Sequence, residues 1–203
     1  VLLAGCAPAL RSAVPPAALP ATDDPALTVT AEAAWYAARG PTPEALARAL
    51  TRATPYRDPE GAPFHAGTDW TLRWGWATEA RAAGCQIVSP RVHVDLTLTL
   101  PLWRPPPEPD PDLAAAWQRY TAALWEHELG HVDRAVGAAD ALLHQLRALP
   151  AGPDCLAAER AARALAADAV ELLREEQRVY DAATGHGSTQ GASFPAPPPP
   201  TLQ

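Results

Sequence analysis

Apolar and polar positions alternate through much of the first half of the chain and recur every three or four residues through the second. Leu27 to Ala38 is rich in β-branched and aromatic residues and reads as a first strand. Thr42-Pro43-Glu44 then opens a short helix, with Thr42 as N-cap and Pro43 at the first helical position. Around Trp70 to Trp76 apolar residues alternate with polar ones or glycine, which predicts a strand with one aromatic face. Arg91 to Leu100 alternates most clearly, aliphatic on one side and polar on the other, and Pro101 is expected to stop it. The first half therefore predicts an antiparallel sheet of roughly three or four strands.

The period changes after Pro105-Pro106-Pro107. Asp110-Pro111-Asp112 supplies a cap, a proline at N1 and a negative charge at the positive end of the helix dipole, and the helix it starts is expected to reach about Leu149. After Ala151-Gly152-Pro153-Asp154, a second amphipathic helix is expected from about Cys155 to Ala183. A sheet followed by two long helices is an α+β arrangement.

The first long helix carries the candidate chemistry. Leu113, Trp117, Tyr120 and Leu124 form an inward stripe, and its next members are His127 and His131. Together with Glu128 they make the pattern H-E-x-x-H. Histidines four apart lie one turn above each other, so both imidazoles can face one metal ion, while the adjacent carboxylate can take a proton from an attacking water. A lone inward histidine is usually a core residue bonded to backbone. Two on one face beside a glutamate are harder to bury without a compensating ion, since each unpaired buried polar group costs about 1–3 kcal/mol. His65 and His93 have no partner at metal spacing and read as surface or supporting histidines. Arg134 and Gly137 stand where a metzincin would have its glycine and third histidine, so the third ligand is expected later in the chain. His186, between Gly185 and Gly187 just past a helix end, is the first choice, with Asp181, Glu175 and Glu171 as the alternatives. Tyr180 is a candidate hydrogen-bond donor to an oxyanion.

Composition narrows the rest. The 203 residues suffice for one domain with tails, and a net charge of −7, with all 16 basic residues arginine, argues against nucleic acid as partner. No apolar run has the ~18 residues a membrane-crossing helix needs. Leu3-Ala4-Gly5-Cys6 has the form of a lipoprotein cleavage box, which predicts a lipid anchor at Cys6 and an Ala/Pro-rich tether over residues 1–26. The folded domain is then expected over 27–191, with a Pro-rich disordered tail over 192–203. In an exported protein Cys85 and Cys155 are the natural disulfide pair.

His127-Glu128-Leu129-Gly130-His131 together with Tyr180-Asp181 and Thr184-Gly185-His186-Gly187 resembles a bacterial family of predicted secreted zinc-dependent proteases, a domain family of unknown function. Trp35-Tyr36, the tryptophan strand, Gly84-Cys85 and Leu100-Pro101-Leu102-Trp103 extend the likeness across roughly residues 27–191. The resemblance implies a zincin-like α+β fold, an exported or cell-envelope location and a metal site completed near the C-terminus. The expected function is thus a Zn²⁺-dependent metallopeptidase acting on a peptide or protein substrate. In it His127, His131 and His186 hold zinc, Glu128 is the general base and Tyr180 assists the oxyanion. Two rivals belong to other classes. One is a zinc-stabilised envelope binding protein that tolerates Glu128→Gln, and the other is a helical scaffold lipoprotein that folds equally well with chelator present.

Overall fold

The computed structural model describes residues 10–13, 19–20, 22–58 and 60–194. Cys6 and the prolines after Phe194 lie outside the described residues, as does most of the stretch read as a tether. The order is β1 (Leu10–Ala13), β2 (Leu27–Ala38), α1 (Pro43–Ala53), β3 (Tyr56–Arg57), β4 (Pro63–Phe64), β5 (Gly67–Arg81), β6 (Gly84–Trp103), α2 (Pro111–Ala148) and α3 (Cys155–Thr184). A 3₁₀ turn at Ser188–Gln190 closes the described fold. This is an α+β architecture with the sheet first and the two long helices after it.

The four-stranded sheet has the order β1-β2-β6-β5, and it is mixed rather than antiparallel. β5 and β6 form a hairpin, but β2 runs parallel to β6, from Leu27 opposite Val92 to Ala38 opposite Trp103. The reason is connectivity. The hairpin fills one side of β6, and the long crossover through α1 and β3–β4 brings the chain back so that β2 lies on the other side in the same direction. Alternation reports which face is buried and carries no information about the neighbour's direction. β1, inside the stretch read as a tether, pairs antiparallel with β2 and occupies its otherwise open edge. Four residues are too few to show a period.

Pro101 does not end β6. Pairing with β5 begins at Gly67 opposite Thr99, so beyond Thr99 β6 has β2 alone beside it, and a residue without an N–H is tolerated there. At the other end Trp76 of β5 faces both Ser89 and Pro90 of β6, and Ser89 has a left-handed φ of 50°. This bulge exchanges the buried face: Cys85 and Ile87 point inward before it, Val92, Val94 and Leu96 after it. The hairpin tip is thereby turned onto α3, where Cys85 and Cys155 form a disulfide. Cys85 and Gly152 exchange two backbone hydrogen bonds of 2.8 Å beside it. Gly84, at φ 127°, must be glycine, since a Cβ there would lie 2.1 Å from the Gly152 carbonyl oxygen.

The core lies between the inner face of the sheet and α2. Val92, Val94, Leu96, Leu98 and Leu100 meet Leu113, Tyr120, Leu124, Val132 and Val136. Each fully buried aliphatic side chain contributes about 1.5–3 kcal/mol. Asp110 caps α2 by accepting from the N–H groups of Asp112 and Leu113, and Asp154 caps α3 by accepting from Ala157. α3 presents Ala158, Ala162 and Ala166 inward, small residues that let it approach closely. Phe194 packs against Tyr120 and Trp117, with ring centroids 5.1 and 5.8 Å away, so the packed fold extends past residue 191. A lone aromatic before a proline run shows no period, and the rings of Trp117 and Tyr120 give it partners.

Candidate metal centre

The inward stripe of α2 runs into the motif: His127, Glu128 and His131 are 4%, 2% and 8% exposed. α3 faces them with Gln177 and Asp181, one turn apart. Asp181 Oδ1 lies 3.2 Å from His127 Nε2 and 3.1 Å from His131 Nε2, and the two Nε2 atoms are 3.2 Å apart. Among the described residues, these three form the one group of three or more His, Cys, Asp or Glu side chains whose ligand atoms all lie within 4.8 Å of one another.

The outer nitrogens determine what the inner ones can do. His131 Nδ1 is 2.5 Å from Gln177 Oε1, and the amide of Gln177 cannot be turned round because its Nε2 donates to the His131 carbonyl at 3.0 Å. His127 Nδ1 is 2.9 Å from Gln190 Oε1, whose Nε2 donates to the Tyr180 hydroxyl at 3.2 Å. Each amide oxygen accepts from an Nδ1–H, which leaves the Nε2 lone pairs of both neutral rings aimed at each other and at a carboxylate oxygen. Three acceptors within 3.2 Å, with no proton among them, call for positive charge. Charge balance in the protein alone agrees. Burial would raise Asp181, but hydrogen bonds to His127 and His131 and the charges of His131 and His186 hold it far below the usual carboxylate range. Burial would lower His131, yet hydrogen bonds to Asp181 and Gln177 and the nearby carboxylates raise it, which shows the same pull of the site for positive charge. Two imidazoles and a carboxylate form a donor set that could hold a divalent metal ion.

α3 ends in three successive left-handed residues, Gly185 at φ 54°, His186 at φ 51° and Gly187 at φ 80°, and this turn carries the chain back over α2. A Cβ on Gly187 would come within 3.0 Å of His127 Cγ. His186 is half exposed, with Nδ1 3.3 Å from Asp181 Oδ1 and its ring 4.2 Å from Phe64. It borders the cluster through Asp181. Glu171 and Glu175 are occupied on the outside of α3 by Arg174 and Arg178.

Glu128 accepts a 2.8 Å hydrogen bond from Thr68 Oγ1, and burial raises its carboxyl above the usual range. Tyr180 stacks on His127 at 5.0 Å, its hydroxyl donates to the His127 carbonyl at 3.3 Å, and the Arg134 guanidinium covers its ring at 3.6 Å. Gly130 makes room for it: a Cβ there would lie 2.1 Å from the Tyr180 hydroxyl. A cavity of about 460 Å³ opens beside the cluster, lined among others by Phe64, His65, Thr68, Trp70, Tyr120 and Glu128.

Sequence reasoning missed Gln177, Gln190 and Thr68 and put Asp181 second. For two of them a signal existed. Ala158, Ala162, Ala166 and Leu173 form the buried stripe of α3, and Gln177 and Asp181 are its next two members, polar side chains on an apolar face. Gln190 and Thr68 follow no such pattern.

A histidine pair on one helix, completed by a carboxylate from the next and walled by a sheet, defines the class of this molecule: an α+β domain with a candidate metal centre between helices. Residues 33–187 match a bacterial protein family of unknown function, DUF922, and the chain belongs to that family. The matched span contains His127, Glu128, His131, Gln177, Asp181 and His186, and stops before Gln190 and Phe194. No curated protein and no solved structure matches the chain.

Proposed function

We propose that this chain is a zinc-dependent peptidase of the bacterial cell envelope, with a zincin-like arrangement in which His127, His131 and Asp181 hold the ion. The observation that carries the reading is the convergence of His127 Nε2, His131 Nε2 and Asp181 Oδ1, with both Nδ1 atoms already committed to Gln190 and Gln177. Bound zinc supplies a Lewis acid that polarises a carbonyl and brings the pKa of water down toward ~7.

The chain's own residues do the rest. Glu128 takes a proton from the attacking water as the water oxygen bonds to the scissile carbonyl carbon. It returns that proton to the amide nitrogen as the C–N bond breaks, so one water is consumed and an acid and an amine are released. Burial of Glu128 suits this task, because a carboxyl shifted upward is a better proton acceptor than one at its ordinary value. Thr68 holds the carboxylate toward the cleft. Tyr180, with its hydroxyl engaged and both ring faces covered, serves His127. The Cys85–Cys155 disulfide supports an exported location.

Zinc-loaded wild type and Glu128→Gln, compared on a fluorogenic peptide library, test the reading. Cleavage by wild type, a loss of about 10²–10⁴-fold in Glu128→Gln and equal zinc in both are expected. Zinc-loaded wild type that cleaves no member, or Glu128→Gln that cleaves as fast, would overturn it and favour a zinc-stabilised binding protein.

A further inference from the structure

The cavity beside the histidine pair is lined by two further imidazoles, His186 and His65. His65 lines the same cavity as His127, Glu128, His131 and Asp181. Nearby residues contact groups that border the cluster: Thr68 donates to Glu128, and the Phe64 ring meets that of His186.

Three hydroxyl groups pin this short stretch. Tyr36 donates to the His65 carbonyl at 2.7 Å, Thr54 donates to the Phe64 carbonyl, and the Tyr120 hydroxyl lies 2.6 Å from His65 Nδ1. The direction of the last bond follows from burial. Tyr120 is 2% exposed, and His65 Nδ1 is the one described partner of its hydroxyl. A buried hydroxyl that only accepted would leave its proton unsatisfied, at a cost of about 1–3 kcal/mol. Tyr120 therefore donates, Nδ1 accepts, and the ring proton of His65 sits on Nε2. Burial also raises the Tyr120 phenol and lowers the His65 imidazole, so both stay neutral. No described group partners His65 Nε2. Anchoring uses the carbonyl and Nδ1, and the Nε2 proton stays available to solvent or to a bound group.

We propose that His65 is a catalytic residue whose Nε2–H donates a hydrogen bond to the substrate's carbonyl oxygen as that oxygen gains negative charge, with Tyr120 as the positioning residue that fixes its tautomer. No proton is transferred by His65. This rests on the peptidase reading above, and it gives the cavity a neutral, preset donor.

Titration calorimetry on the zinc-loaded full chain tests it with two probes, phosphoryl-Leu-Trp, whose tetrahedral anion imitates the charged oxygen, and a dipeptide hydroxamate, which reports on the zinc itself. His65→Phe is expected to keep its zinc and its hydroxamate affinity while losing about 10²-fold in phosphoryl-Leu-Trp affinity and a similar factor in kcat. His65→Gln, which restores an N–H donor, is expected to recover part of both. Tyr120→Phe is expected to fall between His65→Phe and wild type. Wild-type phosphoryl-Leu-Trp affinity and kcat in His65→Phe would overturn the proposal and leave His65 an anchor. Should His65→Phe not fold, a His65→Gln that falls equally with both probes would overturn it as well, by placing the fault in the zinc site. Zinc-loaded wild type that binds neither probe and cleaves no peptide would overturn the peptidase reading itself, and this assignment with it.

Discussion

Among the described residues a histidine lies against an aspartate in three places, the exposed His144–Asp140 pair on α2 and two larger clusters, of which only one has the form of a metal site. On the outer face of the sheet His93 Nε2 lies 2.7 Å from Asp95 Oδ1, Thr30 donates to the same oxygen at 2.5 Å, and Arg73 pairs with the other. Each of these contacts has a proton to share, and the group is open to solvent. Between α2 and α3 the residue types are similar but the protons are elsewhere. Gln177 and Gln190 have drawn them to the outer nitrogens, and three acceptors are left facing one another in a buried place. Residue identity and proximity do not distinguish the two clusters. The count of hydrogens does, together with the cost of leaving buried lone pairs unmatched.

The largest expected difference between the clusters is in metal affinity. His127→Ala is expected to abolish zinc uptake in equilibrium dialysis, and His93→Ala to leave it unchanged. Equal loss in both, or in neither, would break the distinction. A smaller effect isolates the role of the outer nitrogens. Gln177→Leu, which touches no ligand atom, is expected to weaken zinc about 10–100-fold by freeing His131 to turn and to change tautomer. Affinity at the wild-type level would show that the amide only fills space. The smallest effect belongs to the outer face. Hydrogen bonds from Thr30 and His93 and the neighbouring charges of His93 and Arg73 lower the Asp95 carboxyl from its ordinary value of 3.8. A folded-state value below the unfolded one contributes stability that is present above pH ~4 and disappears as pH falls through the lowered value. Wild type should therefore melt slightly higher than Asp95→Asn at neutral pH, with the gap closing in acid and zinc content the same in both. A gap that widens in acid would contradict the assignment.

How much of this was legible in the sequence varies with the kind of signal. The unbroken stripe from Leu113 to His131 placed the histidines inward because a helix has one period and one buried face. Asp110 marked the start of α2 through a local requirement, an acceptor for the first free N–H groups. The sheet's mixed order was not legible, since alternation in β2 and β6 is the same for parallel and antiparallel neighbours when one face is exposed. Asp181 was outranked by His186 because a glycine-flanked histidine suggests a backbone that can be aimed at a site. The turn is there, and it brings Gln190 onto His127 while His186 meets Asp181. Seven tryptophans drew attention to an aromatic sheet face. The contacts that organise the cleft instead come from Tyr36, Tyr120 and Tyr180, whose roles depend on hydroxyl direction, a property no sequence pattern carries.

The central claim is that this trio of acceptors, two buried imidazoles and a half-buried carboxylate, is built for one metal ion. Elemental mass spectrometry of the purified full chain, dialysed after zinc is offered, tests it most directly, with Asp181→Ala measured in parallel. The account predicts about one zinc per wild-type chain and almost none in Asp181→Ala. Metal-free wild type, or a full complement of zinc in Asp181→Ala, would contradict it.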